Sequence, residues 1–380
     1  NAAFVIEDGK VTARGTKATL PAPAEADVIE FGSGSTLMPG FIDMHVHLTG
    51  DPTDGPYYSL SLSDERKALK GAKNARLTLL AGFTTVRNVG ADSYGDVALR
   101  DSINAGEIPG PRMYVSGPPV GIIGGHCSDN NLLPEEYHDV GEGVATGPWE
   151  YRAKVRENIK YRVDLIKTCS TGGVFSKGTA LGAAQGTLEE LTAAADEAHA
   201  RGLKIASHAH GTVGIKNAIL AGIDTIEHAS ILDDEAIQMA KDHDVWLSMD
   251  IYNTEYTLAE GEKNGVLEES LEKERSISKI QRASFTKAVK AGVKMVFGSD
   301  AGVYPHGMNG NQFSRMVQFG MTPMQALQAA TVNAADALGK AGEVGCVEAG
   351  CHADFVAVTG DPLADMSLLA DVDFVMKDGA

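Results

Sequence analysis

The run Leu37-Met-Pro-Gly-Phe-Ile-Asp-Met-His-Val-His-Leu48 is an apolar segment that ends on two histidines, His45 and His47. In a β-strand, residues two apart point to the same face, so both imidazoles would face the same way. Two imidazoles on one face at the end of a strand can reach one metal ion, although two ordinary polar residues would give the same pattern. The run therefore predicts a strand with a candidate metal-binding pair at its carboxyl end.

Four later apolar runs also end on residues that bind metals or move protons. Each run is short and β-prone, as is typical of a buried strand. In chain order they end at Lys167, at His208 with His210 two residues further on, at His228, and at Asp300. Loops are polar in any protein, which explains one such ending more easily than five. The five endings together predict one shared site.

Between residues 39 and 340, predicted strands alternate with helical patterns, and eight such units indicate a (β/α)8 TIM barrel. The predicted strands cover residues 41–47, 83–89, 112–116, 164–167, 204–208, 223–228, 245–249 and 293–300. The predicted helices cover residues 62–80, 96–105, 149–162, 188–201, 213–221, 234–242, 267–291 and 323–338. Parallel barrel strands end at one face, where active sites lie. The polar endings of strands 1, 4, 5, 6 and 8 should therefore converge at one mouth.

Both ends of the chain are β-rich. Residues 3–12 contain the turn signal Asp8-Gly9, and residues 27–31 form a further short β-prone run. Residues 353–359 and 373–379 give matching runs near the other end. We therefore expect residues 1–38 and 341–380 to form a small β-sandwich domain beside a barrel of residues 39–340.

The composition excludes some classes of partner. A formal net charge of −18 over 380 residues argues against nucleic acid, because phosphate recognition needs clustered Lys and Arg. No run of 18 apolar residues is present in the sequence, which argues against a membrane span. No signal peptide is evident, but the chain starts within an apparent strand and stops within an apparent hairpin. Trimmed termini are therefore expected, and both a cytoplasmic and an exported location stay open.

The four cysteines do not form a disulfide scaffold or a C-x-x-C pair. Cys346 and Cys351 are close enough in sequence to pair, but free thiols are expected there. Cys169 lies two residues after Lys167 and should share its face of the strand. A catalytic thiol at Cys169 would need a basic partner, so a small buried cysteine is the expected role.

Taken together, the motifs resemble the amidohydrolase superfamily over nearly the whole chain. The motifs are Pro39-Gly-Phe-Ile-Asp-Met-His-Val-His47, Val86-Arg-Asn-Val-Gly90, Gly124-Gly-His126, Ala206-Ser-His-Ala-His210 and Glu227-His-Ala-Ser230. They are similar to the branch with metal-dependent Xaa-Arg/Lys and Xaa-Pro dipeptidases (carboxypeptidases), imidazolonepropionase-like proteins and ochratoxin amidohydrolases.

The resemblance implies two divalent metal ions, with zinc expected from the donor types. His45, His47 and Asp300 would hold one ion, and His208 and His228 the other. An ammonium has no lone pair, so Lys167 would have to be carboxylated by CO₂ to bridge the ions. A hydroxide shared by the metals would attack the amide carbonyl, and Asp300 would carry its proton to the leaving amine. Such enzymes also form homo-oligomers.

Further residues have predicted roles in substrate binding. His126 lies in a glycine-rich loop after the third strand and would donate a hydrogen bond to the oxyanion, as a histidine does in similar enzymes. His210 would contact the substrate, for example its terminal carboxylate. His306, on the loop after the eighth strand, would line the pocket or be exposed. Asp129 and Asp250 are loop acids that could select a cationic side chain.

Three functions remain in competition. The first is hydrolysis of the amide bond before a C-terminal amino acid, in a dipeptide or a small N-acyl amino acid. The second is hydrolysis of a cyclic amide, as in imidazolonepropionase. The third is a binding scaffold without activity, which would have no reason to keep the full ligand set.

Overall fold

The structure, a computed structural model, describes residues 2–128 and 131–380. In that part the strands are β1 (Ala2–Glu7), β2 (Lys10–Thr16), β3 (Ser35–Pro39), β4 (Phe41–Val46), β5 (Phe83–Asn88), β6 (Arg112–Val115), β7 (Leu165–Cys169), β8 (Lys204–Ala209), β9 (Thr225–His228), β10 (Trp246–Ser248), β11 (Met295–Val296), β12 (Phe355–Thr359) and β13 (Phe374–Met376). The α-helices are α1 (Gly55–Ser59), α2 (Asp64–Leu80), α3 (Gly95–Asn104), α4 (Pro148–Lys160), α5 (Leu188–His199), α6 (Thr212–Leu220), α7 (Asp234–Asp242), α8 (Asn253–Glu260), α9 (Glu268–Ala291), α10 (Asn311–Gln318), α11 (Pro323–Ala329) and α12 (Val332–Ala337).

Strands β4 to β11 are the eight barrel strands, and all their pairings are parallel. Strands β7 to β11 pair in chain order, and β4, β5 and β6 form a second group. Backbone hydrogen bonds close both seams between the groups. Asp164 N donates to Val115 O at 2.8 Å beside β6 and β7, and Asp300 N donates to His45 O at 2.8 Å beside β11 and β4. The α/β barrel that the alternating pattern predicts is thus confirmed.

Aromatic side chains fill the amino-terminal end of the barrel. Phe41 and Phe83 are the first residues of β4 and β5, and their ring centroids lie 5.7 Å apart. Phe297 packs 5.2 Å from Phe83 and 4.6 Å from Phe313. All four rings are buried, and each contributes roughly 1.5–3 kcal/mol to the free energy of unfolding. The amino-terminal end of the barrel is therefore filled with apolar side chains, and the polar carboxyl ends of the strands lie at the opposite mouth.

Capping residues fix several helix starts where the sequence predicts them. Ser63 accepts a hydrogen bond from Arg66 N before α2, and Thr187 forms a capping box with Glu190 before α5. Each such cap stabilises its helix by roughly 1 kcal/mol. Asp233 caps α7 in the same way.

Two local predictions are wrong, and some helices were missed. Residues 27–31 form no strand, and Val28 is 59% exposed there with no sheet to pack against. The helix predicted over residues 323–338 is divided into α11 and α12. The break leaves Ala330 O free to accept a hydrogen bond from Ile42 N of β4 at 2.7 Å. Helices α8 and α10 were missed because Tyr252 and Gly310, which precede them, provide no side-chain cap.

Segments from both ends of the chain form two small antiparallel sheets. The β1–β2 hairpin turns at Asp8-Gly9, where both residues have positive φ, and β3 pairs with β12, which pairs with β13. The sheets pack through Phe4 and Phe355, whose ring centroids are 5.0 Å apart. In the described part of the chain, no helix combines the length and apolar character needed to cross a bilayer.

The cysteines, all of which are described, form two disulfides, Cys127–Cys169 and Cys346–Cys351. The expectation of free thiols is therefore wrong. The pattern of spacings did not reveal the first pair, because its members lie on a loop and a strand that only the barrel brings together. A paired Cys169 also cannot serve as a catalytic thiol.

Candidate metal centre and active site

The carboxyl ends of the barrel strands surround a cavity of about 470 Å³. The side chains that line it include every predicted metal ligand, namely His45, His47, Lys167, His208, His228 and Asp300. These residues come from five different strands or the turns that follow them, as expected for a barrel active site. His126 and His210 line the same cavity.

Two overlapping groups of side chains fit divalent ions. Ligand atoms of His208, His210 and His228 lie within 4.8 Å of one another, as do those of His45, His228 and Asp300. Within the described residues, the buried His208 Nε2 has no hydrogen-bond partner, although buried polar atoms are normally paired. Imidazoles together with a carboxylate are a donor set that suits zinc and related ions.

Burial keeps the imidazoles of the predicted ligands His47 and His228 neutral, and a neutral imidazole offers a lone pair to a metal. It lowers the pKa of His47 to about 3 and that of His228 to about 3. His45 differs, because burial opposes its charge but the carboxylates of Asp300 and Glu227 prevail and raise its pKa to about 9. The carboxylates of Asp300 and Glu227, which stabilise the protonated form of His45, would also attract a metal cation.

A buried ion pair lies directly behind His45. Arg87 Nη2 donates to Glu227 Oε1 at 2.6 Å, and His45 Nδ1 lies 2.9 Å from Glu227 Oε2. Burial opposes ionisation of Glu227, but Arg87 outweighs it and holds the pKa of Glu227 well below its usual range. A carboxylate can only accept, so His45 Nδ1 donates and leaves Nε2 for the cavity. The sequence motifs contain Arg87 and Glu227, but they gave no indication of this role.

Replacing Glu227 by Gln is expected to weaken metal binding by about 10–100-fold. A Gln side chain cannot accept from both Arg87 and His45, since its amide group would face one of the two donors. Competition with a chromophoric chelator measures the affinity. Glu274→Gln is the matched control, because Glu274 also lines the cavity but bonds to Thr254 rather than to a predicted ligand. Unchanged affinity in Glu227→Gln would contradict the role of Glu227.

His228 has its own carboxylate partner. Its Nδ1 lies 2.7 Å from Asp250 Oδ1, and Gln281 Nε2 donates to the same oxygen at 3.3 Å. The suggestion that Asp250 is an unpaired acid for a cationic substrate is therefore wrong. Asp129, the other acid suggested for that role, lies outside the described residues.

Lys167 is buried at the cavity, with 3% of its surface exposed. Within the described residues, no hydrogen bond or ion pair engages its Nζ. Burial outweighs the nearby carboxylates and lowers the pKa of Lys167 to about 8. The lowered pKa increases the uncharged fraction of this amine near neutral pH, and the uncharged amine is the form that reacts with CO₂.

The backbone is strained at two of the candidate ligands. His228 has φ 69° and Asp300 has φ 60°, values in the left-handed region. An L-residue in this region costs roughly 1–2 kcal/mol. Strain of this kind persists where the surrounding structure enforces it, and it is concentrated at functional sites. Here the hydrogen bond from Asp300 N to His45 O fixes the turn.

His126 projects from the loop between β6 and α4 towards the candidate metal ligands. Its ring centroid lies 3.9 Å from that of His208, in a stacked arrangement. Its Nδ1 is 3.0 Å from Ser176 Oγ, and its backbone N donates to Gln185 Oε1 at 2.8 Å. With Nδ1 engaged, Nε2 is the ring atom left for a substrate.

The other two predicted substrate contacts differ in position. His210 Nδ1 lies 2.7 Å from Ser230 Oγ, and its ring is at the cavity. His306 is buried, donates from Nε2 to His47 O at 3.1 Å, and accepts at Nδ1 from Thr78 Oγ1 at 3.0 Å. It is not among the described residues that line the cavity, so a substrate contact through His306 is wrong. It supports the backbone of His47 instead.

One face of α9 forms a wall that sequence reasoning missed. Residues 267–291 carry many charged side chains, which is typical of a solvated helix. Residues at three- and four-residue spacing nevertheless line the cavity: Leu267, Ser270, Glu274, Ile277 and Gln281. This spacing is the helical signal that would have identified the wall. Burial raises the pKa of Glu274 to about 7.

A model of the amidohydrolase family matches residues 36–380. The chain belongs to the amidohydrolase family. Ochratoxinase from Aspergillus niger is 31% identical to this amidohydrolase over an alignment of 391 positions, which covers 98% of the chain and 80% of the fungal enzyme. Imidazolonepropionase from Caldanaerobacter subterraneus subsp. tengcongensis is 23% identical over an alignment of 399 positions, which covers 94% of the chain and 84% of that enzyme.

The solved structures similar to this amidohydrolase include a Xaa-Pro dipeptidase with methionine bound in its active site. That structure superimposes with a TM-score of 0.92 and 35% identity, covering 100% of this chain and 94% of the dipeptidase. The family resemblance inferred from the motifs is confirmed, and so is the prediction of a hydrolase. Like these relatives, the protein has amidohydrolase activity, and members of the family typically use metal ions.

Proposed function

We propose that this amidohydrolase cleaves the amide bond before a C-terminal amino acid, in a dipeptide or a small N-acyl amino acid. The observation that carries the proposal is the cavity beside the six candidate ligands. Its volume of about 470 Å³ lies in the range typical of small-molecule sites. Apolar side chains such as Phe175 and Ile277 line it next to polar ones, which would accommodate a side chain beside a scissile amide. The similarity to a Xaa-Pro dipeptidase and to ochratoxinase supports the same assignment.

The donor set supports two divalent ions, for which zinc is our proposal. His45, His47 and Asp300 would hold one ion, and His208 and His228 the other. When bound, such ions polarise a carbonyl group and lower the pKa of water towards neutrality. Lys167 would contribute to both as a carbamate. In that modification, Nζ bonds to the carbon of CO₂ and releases one proton to solvent.

The side chains of the protein would perform the proton transfers. Burial opposes ionisation of Asp300, but His45 outweighs it and holds the pKa of Asp300 below its usual range. The Asp300 carboxylate can therefore accept a proton from the attacking water and return it to the leaving amine. His126 would donate from Nε2 to the carbonyl oxygen as negative charge develops there. His210 would bind the terminal carboxylate of the substrate.

A substrate panel on the metal-loaded protein tests the proposal. It contains dipeptides and N-acetyl amino acids that end in Arg, Lys, Pro, Phe or Met, together with lactams and an imidazolone. We expect release of the C-terminal amino acid, measured by mass spectrometry, with metal content determined on the same sample. Chelator-treated protein and its reconstituted form are the controls.

Two other outcomes would redirect the assignment. Hydrolysis of the cyclic amides without hydrolysis of any N-acyl amino acid or dipeptide would favour the imidazolonepropionase-type reaction. An absence of bound metal combined with an unmodified Lys167 and no turnover would indicate a binding scaffold. Either result would overturn the proposed function.

A further inference from the structure

A disulfide joins the loop that carries His126 to the strand that carries Lys167. Cys127 directly follows His126, and Cys169 is the last residue of β7. Both cysteine side chains are buried and line the cavity. The crosslink therefore lies inside the candidate active site, next to a residue with a proposed catalytic role.

The loop that carries His126 follows β6 and contacts β7 at two points, Val120 and Cys127. Val120 N donates to Lys167 O at 2.8 Å, and Cys169 N donates to Val120 O at 3.2 Å, so Val120 is anchored on the strand. The chain then departs and is brought back at Cys127. Within the segment between these anchors, Gly125 N donates to Ile122 O at 3.0 Å in a turn. The disulfide attaches the carboxyl-terminal end of this segment, Cys127, to Cys169 of β7.

The position of the His126 ring leaves little tolerance for movement. It is stacked on His208, and a Cβ at Gly173 would overlap it. Apart from the crosslink, the described contacts that hold His126 at its polar atoms are those with Gln185 and Ser176. A displacement of about 1 Å in a reacting group can reduce the rate by up to about 10²-fold. A covalent anchor at the adjacent residue limits such displacements.

We infer that the Cys127–Cys169 disulfide positions His126 over the cavity and is required for full turnover. The inference rests on the proposed function, in which His126 donates to the carbonyl oxygen of the substrate. Cys127 and Cys169 are positioning residues, because they act through His126 and not on the substrate.

The test compares the wild-type enzyme, Cys127→Ser/Cys169→Ser, and His126→Asn, on the substrate identified by the panel. Cys346→Ser/Cys351→Ser is the matched control, since it removes the other disulfide, which is not at the cavity. We expect kcat of the Cys127/Cys169 variant to fall about tenfold, which is less than the roughly 10²-fold loss that a 1 Å displacement of His126 could cause. His126→Asn should fall further, by about 10²–10³-fold. KM and metal content, measured on the same samples, should change little in the Cys127/Cys169 variant, and the Cys346/Cys351 control should retain wild-type kcat. Tm should fall in the Cys127/Cys169 variant, because the crosslink restricts the unfolded chain over 42 residues, so the kinetics are measured well below that Tm.

Adding His126→Asn to the Cys127/Cys169 variant separates positioning from a general structural role. If the disulfide acts through His126, its loss should cost nothing further once His126 is absent. Multiplicative losses in the combined variant would overturn the inference, and so would wild-type kcat in Cys127→Ser/Cys169→Ser.

Reduction of the folded wild-type enzyme gives a second measurement if the serine variant fails to fold. A water-soluble trialkylphosphine cleaves the S–S bond to two thiols, and the phosphine is oxidised to its oxide with an oxygen atom from water. Thiol titration follows the reaction. We expect kcat to fall on reduction and to recover on reoxidation, in the wild type and in the Cys346/Cys351 control. Four free thiols in the untreated folded enzyme would contradict the inference.

The outcome also distinguishes this inference from the proposed function. Wild-type turnover in His126→Asn would reject the role of His126, and the inference with it. A loss in His126→Asn without any effect of the crosslink would reject the inference alone.

Discussion

Replacing Asp300 by Asn is expected to lower kcat by about 10²–10⁴-fold, with a much smaller change in KM. The Asp300 carboxylate is buried at the cavity, with Oδ1 3.3 Å from His45 Nε2 and Oδ2 accepting from Asn253 at 3.4 Å. His45 keeps it ionised, so it can accept a proton that an amide cannot. Asn has nearly the same shape, and the substitution therefore removes the proton transfer with little change in packing.

Metal content and Tm of the Asp300→Asn protein must be measured with the kinetics, because Asp300 is also a predicted ligand. Retained metal with lost turnover would assign the effect to proton transfer, whereas lost metal would assign it to ligation. Asp51→Asn is the matched control, since Asp51 lies at the same cavity but accepts hydrogen bonds from Thr53. It should retain turnover close to that of the wild type. A fully active, metal-loaded Asp300→Asn enzyme would rule out Asp300 as the proton carrier.

Local signals explain why much of the barrel was predictable. Ser63 and Thr187 mark helix starts through contacts with residues three positions away, which a sequence displays directly. The break at Ala330 has no such signal. At the break, Ala330 O accepts a hydrogen bond from Ile42 N, and these two residues lie far apart in the chain. A helical pattern cannot reveal that one of its carbonyl groups is needed by a distant strand.

The same distinction applies to the site. Its side chains could be proposed from the sequence because barrel topology gathers the carboxyl ends of all strands at one mouth. His306 was misassigned because being on a loop at that mouth does not determine the direction of its ring. Its two nitrogens bond Thr78 and the backbone of His47, and neither bond has a sequence signal. The crosslink between Cys127 and Cys169 was missed for the same reason.

Replacing Lys167 by Ala is expected to reduce turnover by more than about 100-fold. Loss of a residue that only hydrogen-bonds to a metal ligand costs roughly 10–100-fold, and loss of a ligand itself should cost more. Lys167 is buried among the candidate ligands, and its side chain would supply the anionic group shared by both ions. Metal content should fall along with kcat, because a neutral methyl group cannot replace a carbamate. Metal analysis and kinetics on one sample measure both effects. In the wild type, incorporation of ¹³C-bicarbonate should give a carbamate signal by NMR that Lys167→Ala lacks.

Chemical rescue provides the sharper test of Lys167. The Ala variant leaves a space beside the ligands, and a small carboxylic acid such as acetate or propionate should enter it and restore part of the lost metal binding and turnover. Lys167→Met is the matched control, because its side chain fills that space and should prevent rescue. Rescue in Ala but not in Met would identify an anionic bridge as the contribution of Lys167, since the two variants lack the same amine and differ in room for the acid. Wild-type activity in either variant, or a bare amine at Lys167 in the active metal-loaded enzyme, would show that the ions need no bridge from this residue.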